Sequence, residues 1–194
     1  MTERCPWLDL AKPLYVRYHD EEWGVPVRDD RTMFEHLCLE CAQAGLSWYT
    51  VLSKRENYRR AFAGFDPVVI AGFGRAEVDM LLVNPGIIRN RAKIEAVIGN
   101  ARAYLELQAR EGSFADFLWG FVGGAPVVEE RHTLQDYPVT TPVSDALARE
   151  LKRRGFRFVG STSCYAHMQA TGMVNDHVVG CFRRAELIRA HAGG

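Results

Sequence analysis

The sequence predicts an all-α fold. Signals for helix starts recur along the whole chain, whereas the alternation of apolar and polar residues that indicates strands is nearly absent. With 194 residues, 47% of them apolar, the chain is long enough to bury a sizeable core. We expect one domain over residues 1–182, either compact or divided into two helical lobes, and a tail at residues 183–194 without assigned function.

The helices are predicted from the residues that cap or interrupt them. In chain order, the expected N-terminal caps are Thr32 with Glu35, Ser47, Asp66 before Pro67, Ser113 with Asp116, Ser144 with Asp145, and Ser161. The expected helix ends are Gly45, residue 62, residue 110, Gly155 and Gly172. A turn at residues 84–86 precedes the longest predicted helix, at residues 87–110. Residues 123–141 are rich in glycine and proline, which is typical of a surface connection or of a boundary between lobes.

Charge and hydropathy exclude several classes of protein. Basic and acidic residues both number 24, so the net charge is zero and any binding of nucleic acid must rest on local patches. No segment approaches the ~20 consecutive apolar residues of a membrane helix. Charged residues interrupt the N-terminal region, so we expect no signal peptide. We therefore expect a cytoplasmic protein without membrane contact that acts as a monomer.

The cysteines favour free thiols or metal ligation. Their number, five, is odd and argues against a disulfide framework in an intracellular protein. Cys38 and Cys41 form a CxxC motif, but they lie in a strongly helical segment. We expect a core cysteine at position 38 beside a half-exposed one at position 41, rather than a redox or zinc motif.

Two predicted helices joined by an apolar turn between Gly155 and Gly160 suggest an anion site. Such a turn presents backbone N–H groups at the positive end of the second helix, which favours phosphate. The N–H groups expected to hold it are those of Val159, Gly160, Ser161 and Thr162. The basic residues around the turn are Lys152, Arg153, Arg154 and Arg157. The alternative is an ordinary helical hairpin with a solvated basic end.

Four residues near the two chain ends have the types found in zinc sites. His177 and Cys181 are four positions apart, so on a helix they would share one face, about one turn apart. Cys5 and His19 would complete a Cys₂His₂ set and join the two ends of the chain. The alternative is a buried cysteine and a surface histidine that do not bind a common metal ion.

Aromatic residues concentrate in the first quarter of the chain, with one acidic residue among them. The set comprises Trp7, Tyr15, Tyr18, Trp23, Trp48 and Glu40. Most aromatic clusters are simply core. An acidic group near several aromatic faces would also suit a pocket for a flat, electron-poor or cationic ring. Composition and spacing leave both explanations open.

Several longer motifs occur together along the chain. They are Cys5-Pro6-Trp7, Tyr18-His19-Asp20, Glu22-Trp23-Gly24, Gln43-Ala44-Gly45-Leu46-Ser47-Trp48, Lys54-Arg55-Glu56-Asn57-Tyr58, Gly86-Ile87-Ile88-Arg89, Gly155-Phe156-Arg157-Phe158-Val159-Gly160 and Val174-Asn175-Asp176-His177-Val178-Val179-Gly180-Cys181. In combination they resemble the DNA-3-methyladenine glycosylase I family, over nine tenths of the chain. The resemblance is weakest in the tail.

The resemblance implies a helix-hairpin-helix glycosylase fold with one structural Zn²⁺. The implied zinc ligands are Cys5, His19, His177 and Cys181. The implied pocket for the damaged base consists of Trp7, Tyr15, Tyr18, Trp23, Glu40 and Trp48. Gly45 and Leu46 correspond to a wedge that fills the gap left by a flipped nucleotide. Cys41 has no place in the implied zinc pattern.

The implied function is DNA repair: excision of 3-methyladenine from alkylated double-stranded DNA, which releases the free base and leaves an abasic site. Glu40 is the expected catalytic residue, because its carboxylate would accept a hydrogen bond from the 6-amino group of adenine and repel the 6-oxo group of guanine. Asn175 stands where many related glycosylases carry a catalytic Asp, and Asp176 is offset by one position. No lysine nucleophile is suggested, so we expect a monofunctional hydrolase.

Two other classes of function stay open. The first is a catalytically silent protein of the same fold that binds damaged or bent DNA, and an excision assay distinguishes it from an enzyme. The second is a zinc hydrolase in which the metal activates water. It is the weaker one, because four protein ligands leave the metal no open position for water.

Overall fold

A computed structural model describes residues 3–192 of the protein. Within them the chain forms eleven α-helices: α1 Pro13–Glu21, α2 Asp30–Gln43, α3 Trp48–Leu52, α4 Arg55–Ala61, α5 Pro67–Ala71, α6 Arg75–Val83, α7 Arg91–Glu111, α8 Phe114–Trp119, α9 Pro142–Arg153, α10 Ser161–Ala170 and α11 Phe182–Ala192. Short 3-10 helices lie at Ala63–Phe65, Gly120–Val122 and Leu134–Asp136. Strand β1 (Val127–Val128) pairs in parallel with β2 (Val174–Asn175). The all-α prediction is confirmed.

Helix α2 lies at the centre of the fold. It is buried from Met33 to Ala42 and packs against α3, α7, α8 and α10. A helix covered on every side is typical of a protein core, yet three polar side chains on α2 are buried with it: Glu35, His36 and Glu40. Glu35 pairs with Arg59, at 2.7 Å between carboxylate and guanidinium.

Three of the predicted caps are confirmed. Ser47 accepts a hydrogen bond from the backbone of Thr50, and the Ser113 side chain accepts one from Asp116. The Asp66 carboxylate accepts from two backbone N–H groups at the start of α5. The helix after Ser47 is shorter than expected, because the chain turns at residues 53–54 and begins again as α4.

The predicted start of α2 at Thr32 is wrong by about one turn. The helix begins at Asp30, with Asp29 as its cap. The Asp29 carboxylate accepts hydrogen bonds from both the backbone N and the hydroxyl of Thr32, at 2.7 and 2.6 Å. Thr32 is therefore a donor to the cap rather than the cap itself.

Three other helix starts also differ from prediction. The cap of α9 is Thr141, with Ser144 as its reciprocal partner three residues later, and the cap of α10 is Gly160 rather than Ser161. The long helix α7 starts at Arg91 instead of residue 87, because Asn90 caps it through the backbone of Lys93.

The connection at residues 123–141 is more ordered than a surface loop. Its strand β1 pairs Val127 with Val174, next to the segment that leads into α11. The Arg131 carbonyl also accepts a hydrogen bond from the Val179 backbone, at 2.7 Å. The connection is thereby fastened to the C-terminal part of the chain.

All five cysteines are buried and free. Cys41 is only 1% exposed, so the expectation of a half-exposed residue there is wrong. Its thiol lies 3.5 Å from the carbonyl oxygens of Arg157 and Phe158, on the turn between α9 and α10. The turn covers the thiol, a contact that no local pattern indicates.

Position 182, the boundary proposed between domain and tail, is the first residue of α11. Leu187 of this helix is buried, and the Arg184 guanidinium donates to the Glu129 carbonyl at 3.1 Å. Across residues 3–192, no helix combines the length and the apolar character needed to cross a membrane.

Candidate functional site

A cavity of about 440 Å³ opens beside α2. Its lining includes all six residues of the predicted base pocket: Trp7, Tyr15, Tyr18, Trp23, Glu40 and Trp48. They come from α1, α2, the first residue of α3 and the two loops that flank α1. The volume lies within the range of small-molecule sites.

The aromatic rings of the cavity are tightly packed. Tyr18 and Trp48 have ring centroids 5.4 Å apart, and Trp7 and Trp23 meet edge-on at 4.9 Å. Tyr15 lies 5.2 Å from Trp7 and continues the same wall. Since aromatic side chains have few rotatable bonds, rings that brace one another form a rigid surface on which a flat ligand can stack.

Glu40 is the one acidic residue in the cavity lining. It is 5% exposed, and burial raises its pKa to about 8. Within residues 3–192, no protein group forms a hydrogen bond to its carboxyl, which leaves its oxygens available to a ligand. The raised pKa favours the protonated carboxyl in the free protein, and a cation in the cavity would favour the ionised form.

Sequence reasoning missed the opposite side of the cavity. It is formed by Gln43, Leu134, Tyr137, Pro138, Val139, Thr162, Tyr165, Ala166 and Gln169. Four of these belong to the connection that was expected to be a surface loop, and four belong to α10. The residues of α10 recur at helical spacing, but no local signal indicates which face meets the cavity.

Asp176 organises this opposite side and does not line the cavity. Its carboxylate is fully buried and accepts from Tyr165 at 2.5 Å and from Gln169 at 2.7 Å. Arg131 donates to it at 2.9 Å. Asn175 points elsewhere, with its side-chain amide 3.3 Å from the Arg184 carbonyl. Neither residue is placed as a base for water in the cavity.

The four predicted metal ligands form one buried cluster. Their ligand atoms, from Cys5, His19, His177 and Cys181, all lie within 4.8 Å of one another. The Nδ1 atom of His177 lies 3.3 Å from the sulfur of Cys5 and 3.4 Å from that of Cys181. Two thiols and two imidazoles at such distances are the donor set of a structural zinc site.

The groups around the cluster orient both imidazoles. His19 Nδ1 lies 2.8 Å from the Asp20 carboxylate, and this carboxylate is held by the Arg4 guanidinium at 2.7 Å. His177 Nε2 lies 3.0 Å from the Trp23 carbonyl. In each ring the outer nitrogen donates, so the lone pair of the inner nitrogen faces the cluster. Such outer contacts are usual for metal-bound histidines.

His177 and Cys181 do not lie on a helix, the case in which their four-residue spacing would place them on one face. Residues 176–181 form a loop, and α11 begins only at Phe182. The loop passes close to Gly24, where a Cβ atom would lie 3.1 Å from His177 Nε2, and the φ of +80° at Gly24 favours glycine as well. The loop, rather than a helix, therefore brings His177 and Cys181 to the other two ligands.

The turn between α9 and α10 presents the predicted N–H groups. Among residues 3–192, no acceptor takes a hydrogen bond from the backbone N–H groups of Val159, Gly160, Ser161 and Thr162. Thr162 also lines the cavity, so the two features adjoin. The turn has a left-handed residue at Phe158, with φ +57°. Free N–H groups at the start of a helix suit an anion.

The basic residues around this turn are not equivalent. Lys152 and Arg157 are exposed and form no salt bridge with a described acidic residue. Arg153 is held by Glu150 one turn earlier, at 2.6 Å, so much of its charge is offset. Arg154 pairs with the same carboxylate at 2.7 Å.

The turn after α2 projects from the surface. Gly45 has φ +78° and no atom within 4 Å of a Cβ at that position, and Leu46 is 39% exposed. An exposed leucine on a left-handed turn is a suitable shape for insertion between bases.

The chain is similar to proteins of known function over nearly its whole length. A model of the family described as methyladenine glycosylase matches residues 7–184. DNA-3-methyladenine glycosylase 1 of Escherichia coli K12 is 55% identical over 179 residues, which cover 92% of this chain and 95% of that protein. A crystal structure of a 3-methyladenine DNA glycosylase I superposes with a TM-score of 0.91 at 56% identity, covering 93% and 98% of the two chains.

A second solved structure, a single-residue variant of 3-methyladenine DNA glycosylase I in complex with 3-methyladenine, superposes with a TM-score of 0.87 at 34% identity. It covers 89% of this chain and 93% of that one. Both the match to the family model and the 55% identity extend over more than nine tenths of the chain. The chain therefore belongs to the methyladenine glycosylase family.

Proposed function

We propose that this protein excises 3-methyladenine from alkylated double-stranded DNA by hydrolysis of the N-glycosidic bond, leaving an abasic site. The single observation that carries the proposal is the aromatic cavity with the unpartnered carboxyl of Glu40, in a chain of this family. The flipped base is the ligand and free 3-methyladenine is the product. The protein acts as a monomer.

Stacking and Glu40 divide the task of base selection. Trp48 and Tyr18 stack on the flipped ring, an interaction worth about 1–3 kcal/mol per base. Stacking does not distinguish adenine from guanine. The Glu40 carboxylate accepts a hydrogen bond from the 6-amino group of adenine and opposes the 6-oxo group of guanine, a mismatch that costs on the order of 1–3 kcal/mol.

Glu40 also favours a cationic base over a neutral one. N3-methylation makes adenine cationic, and a cation in the cavity lowers the pKa of Glu40 from its raised value near 8. The resulting ion pair forms in a desolvated cavity, where it favours the damaged base over neutral adenine.

The methylated base is a good leaving group, so the reaction needs little activation of water. This accords with the positions of Asn175 and Asp176, which do not line the cavity. Within the cavity lining there is no lysine that would attack the sugar. The chain's own residues bind, orient and desolvate the cationic base, and water completes the hydrolysis.

The cluster of Cys5, His19, His177 and Cys181 holds one Zn²⁺ in a structural role. Bound there, a zinc ion would have four protein ligands, so it would cross-link the two ends of the chain and would leave no position for an activated water. The proposal is supported by the outward hydrogen bonds of both histidines, which leave their inner nitrogens free to ligate.

Two elements contact the DNA. The N–H groups from Val159 to Thr162 hold a phosphate, with Lys152, Arg153 and Arg157 adding positive potential. Gly45 and Leu46 form the wedge that replaces the flipped nucleotide. Thr162 lines the cavity and belongs to the phosphate site, so a bound phosphate lies beside the flipped base.

Incubation of the pure protein with methylated duplex DNA, followed by chromatography of the released bases, tests the proposal. We expect efficient release of 3-methyladenine, weak or no release of 3-methylguanine, and retention of 7-methylguanine. Binding to the same DNA without release of any base would support the catalytically silent alternative. Efficient release of 7-methylguanine would contradict the proposed pocket.

A further inference from the structure

Helix α7 contacts both of the elements that are proposed to touch DNA. Near its start, Lys93 Nζ donates to the carbonyl oxygens of Ala42 and Ala44, at 2.9 and 2.6 Å. Two turns later, Asn100 reaches the turn between α9 and α10. The two side chains lie roughly 10 Å apart along the helix axis.

Lys93 closes the C-terminal end of α2. The last turn of α2 contains no basic residue, and its final carbonyl groups carry the negative end of the helix dipole. The ammonium group of Lys93, on α7, donates hydrogen bonds to these carbonyl groups and places a positive charge at the negative end of α2. Because Ala44 immediately precedes Gly45, these hydrogen bonds hold the base of the exposed turn that carries Leu46.

Asn100 clamps the other element. Its side chain is fully buried, its Oδ1 accepts from the backbone N of Arg157 at 2.7 Å, and its Nδ2 donates to the Arg157 carbonyl at 3.1 Å. This pair of hydrogen bonds satisfies the backbone of Arg157 immediately before the left-handed residue Phe158. The turn is therefore held to α7 at its most constrained point.

We propose that Lys93 and Asn100 are positioning residues for the engagement of DNA: through α7 they fix the Leu46 turn relative to the phosphate-binding turn. Cys41 connects the same parts, since its thiol contacts the carbonyls of Arg157 and Phe158 from α2. A duplex that meets both turns at once requires them at a fixed spacing, and errors of about 1 Å in such positions are costly. Neither residue lines the base cavity.

The inference rests on the proposed roles of the two turns, so the experiment reports on those roles separately. The variants are Lys93→Met, which keeps the length of the side chain and removes its donors, and the reporters Leu46→Ala and Gly160→Asp. Lys54→Met is the matched control, because Lys54 is also half-buried and donates to one backbone carbonyl, that of Pro85, at 3.1 Å. The probes are free 3-methyladenine, followed by tryptophan fluorescence, and a duplex with a tetrahydrofuran abasic-site analogue.

We expect Lys93→Met to bind the duplex about ten-fold more weakly and free 3-methyladenine within about two-fold of wild type, because Lys93 does not line the cavity. The dependence of duplex affinity on salt keeps its slope, whereas loss of a direct phosphate contact reduces the slope by about 0.9. In the double variant with Leu46→Ala, the loss is close to that of the larger single change, since Lys93 acts through this turn. Lys54→Met binds both ligands as wild type does.

Several outcomes overturn the inference: duplex binding by Lys93→Met at wild-type strength, a reduced salt slope, losses that multiply with Leu46→Ala, or a matching loss of 3-methyladenine binding. As a second variant, Asn100→Leu removes both hydrogen bonds to the Arg157 backbone without adding charge, and it should also weaken duplex binding at unchanged slope. If Leu46→Ala and Gly160→Asp both bind normally, the proposed roles of the two turns fail first. If they weaken binding and Lys93→Met does not, only the inference fails.

Discussion

Trp23 and His177 join the cavity to the metal cluster. Their rings meet edge-on, with centroids 4.6 Å apart and planes at 77°, and His177 Nε2 lies 3.0 Å from the Trp23 carbonyl. Trp23 lines the cavity, whereas His177 belongs to the ligand set. The cluster therefore supports one wall of the cavity without contributing an atom to its lining.

We expect about one zinc per chain in metal-replete protein, and none in the double variant Cys5→Ser, Cys181→Ser. Because the ion joins distant parts of the chain, its loss should lower the free energy of unfolding by about 3 kcal/mol or more, or Tm by roughly 10 °C. The ratio of 3-methyladenine to 3-methylguanine release should change little. Elemental analysis and thermal unfolding measure these effects. Cys164→Ser, at a buried cysteine outside the cluster, should keep its zinc; zinc retained in the double variant would refute the assignment.

Glu40→Gln should abolish most excision while leaving the rest of the protein intact. The amide keeps the shape and an acceptor oxygen but cannot become an anion opposite the cationic base. We expect the single-turnover rate for 3-methyladenine to fall about 100-fold. Zinc content and affinity for abasic duplex should stay near wild type. Glu106→Gln, on the exposed face of α7, serves as control. A wild-type rate in Glu40→Ala would exclude the role of Glu40.

The same substitution should stabilise the protein, in a pH-dependent way. Burial raises the pKa of Glu40 from 4.5 to about 8, so between these values the folded state keeps a proton that the unfolded state has lost. The free energy of unfolding of the wild type therefore falls with rising pH, by up to about 1.4 kcal/mol per unit. Gln does not titrate. Urea unfolding from pH 4 to 9 should show the advantage of Glu40→Gln growing above pH 4.5 and levelling off above pH 8; a constant difference would contradict the burial of the free acid.

Two histidines away from the metal cluster should make the fold sensitive to acid. Burial lowers the pKa of His36 to about 4 and that of His167 to about 3, from 6.5. Below pH 6.5 both histidines become protonated in the unfolded state but stay neutral in the folded state. The free energy of unfolding therefore falls as pH falls, by up to about 1.4 kcal/mol per pH unit for each histidine. His167→Leu should reduce the dependence of the urea midpoint on pH between 4 and 6.5. An unchanged dependence would show that His167 does not stay neutral in the fold.

Gly160→Asp should weaken binding to abasic DNA without changing which base is released. A Cβ at Gly160 meets no atom within 4 Å, so the side chain fits; its carboxylate opposes the phosphate by charge and, at the N-cap, accepts from the same N–H groups. We expect a loss of about ten-fold at low salt, diminishing as salt screens the charge. Gly160→Ala, which adds a Cβ but no oxygen that could cap these N–H groups, should bind close to wild type. Equal affinities for the two variants would argue against a phosphate at this turn.

Local signals explain how far the fold could be predicted from the sequence. Ser47, Asp66 and Ser113 cap helices as expected, because each bonds a backbone N–H within three residues. Thr32 and Ser144 fail because another residue three positions earlier is the cap and they are its partners. Where several Asp, Thr or Ser residues lie close together, any of them could cap the helix. Tertiary contacts of the backbone then determine which one does.

The site was predictable on one side only. Its aromatic residues and Glu40 all fall within the first quarter of the chain, so their concentration there is visible in the sequence. Tyr137 and Gln169 come from segments that converge through a two-residue strand pair and through Asp176, whose backbone carbonyl accepts from Tyr137 and whose carboxylate accepts from Gln169. Such pairings are too short to leave a periodic pattern. The loop that carries His177 could not be recognised, because the four-residue spacing of His177 and Cys181 does not by itself distinguish a helix from a loop.

The separation of the metal ligands along the chain determines when the cluster can assemble. Cys5 and His177 are 172 residues apart. At about 5–20 residues per second, a ribosome needs roughly 10–30 s between making the first ligand and making the third. Throughout this interval Cys5 and His19 are only half of a binding site. Trp23 in the cavity wall also lacks its packing contact with the His177 ring. Capture of the proposed zinc ion therefore belongs to the end of biosynthesis, and during translation the first thiol is open to oxidation and to competing metals.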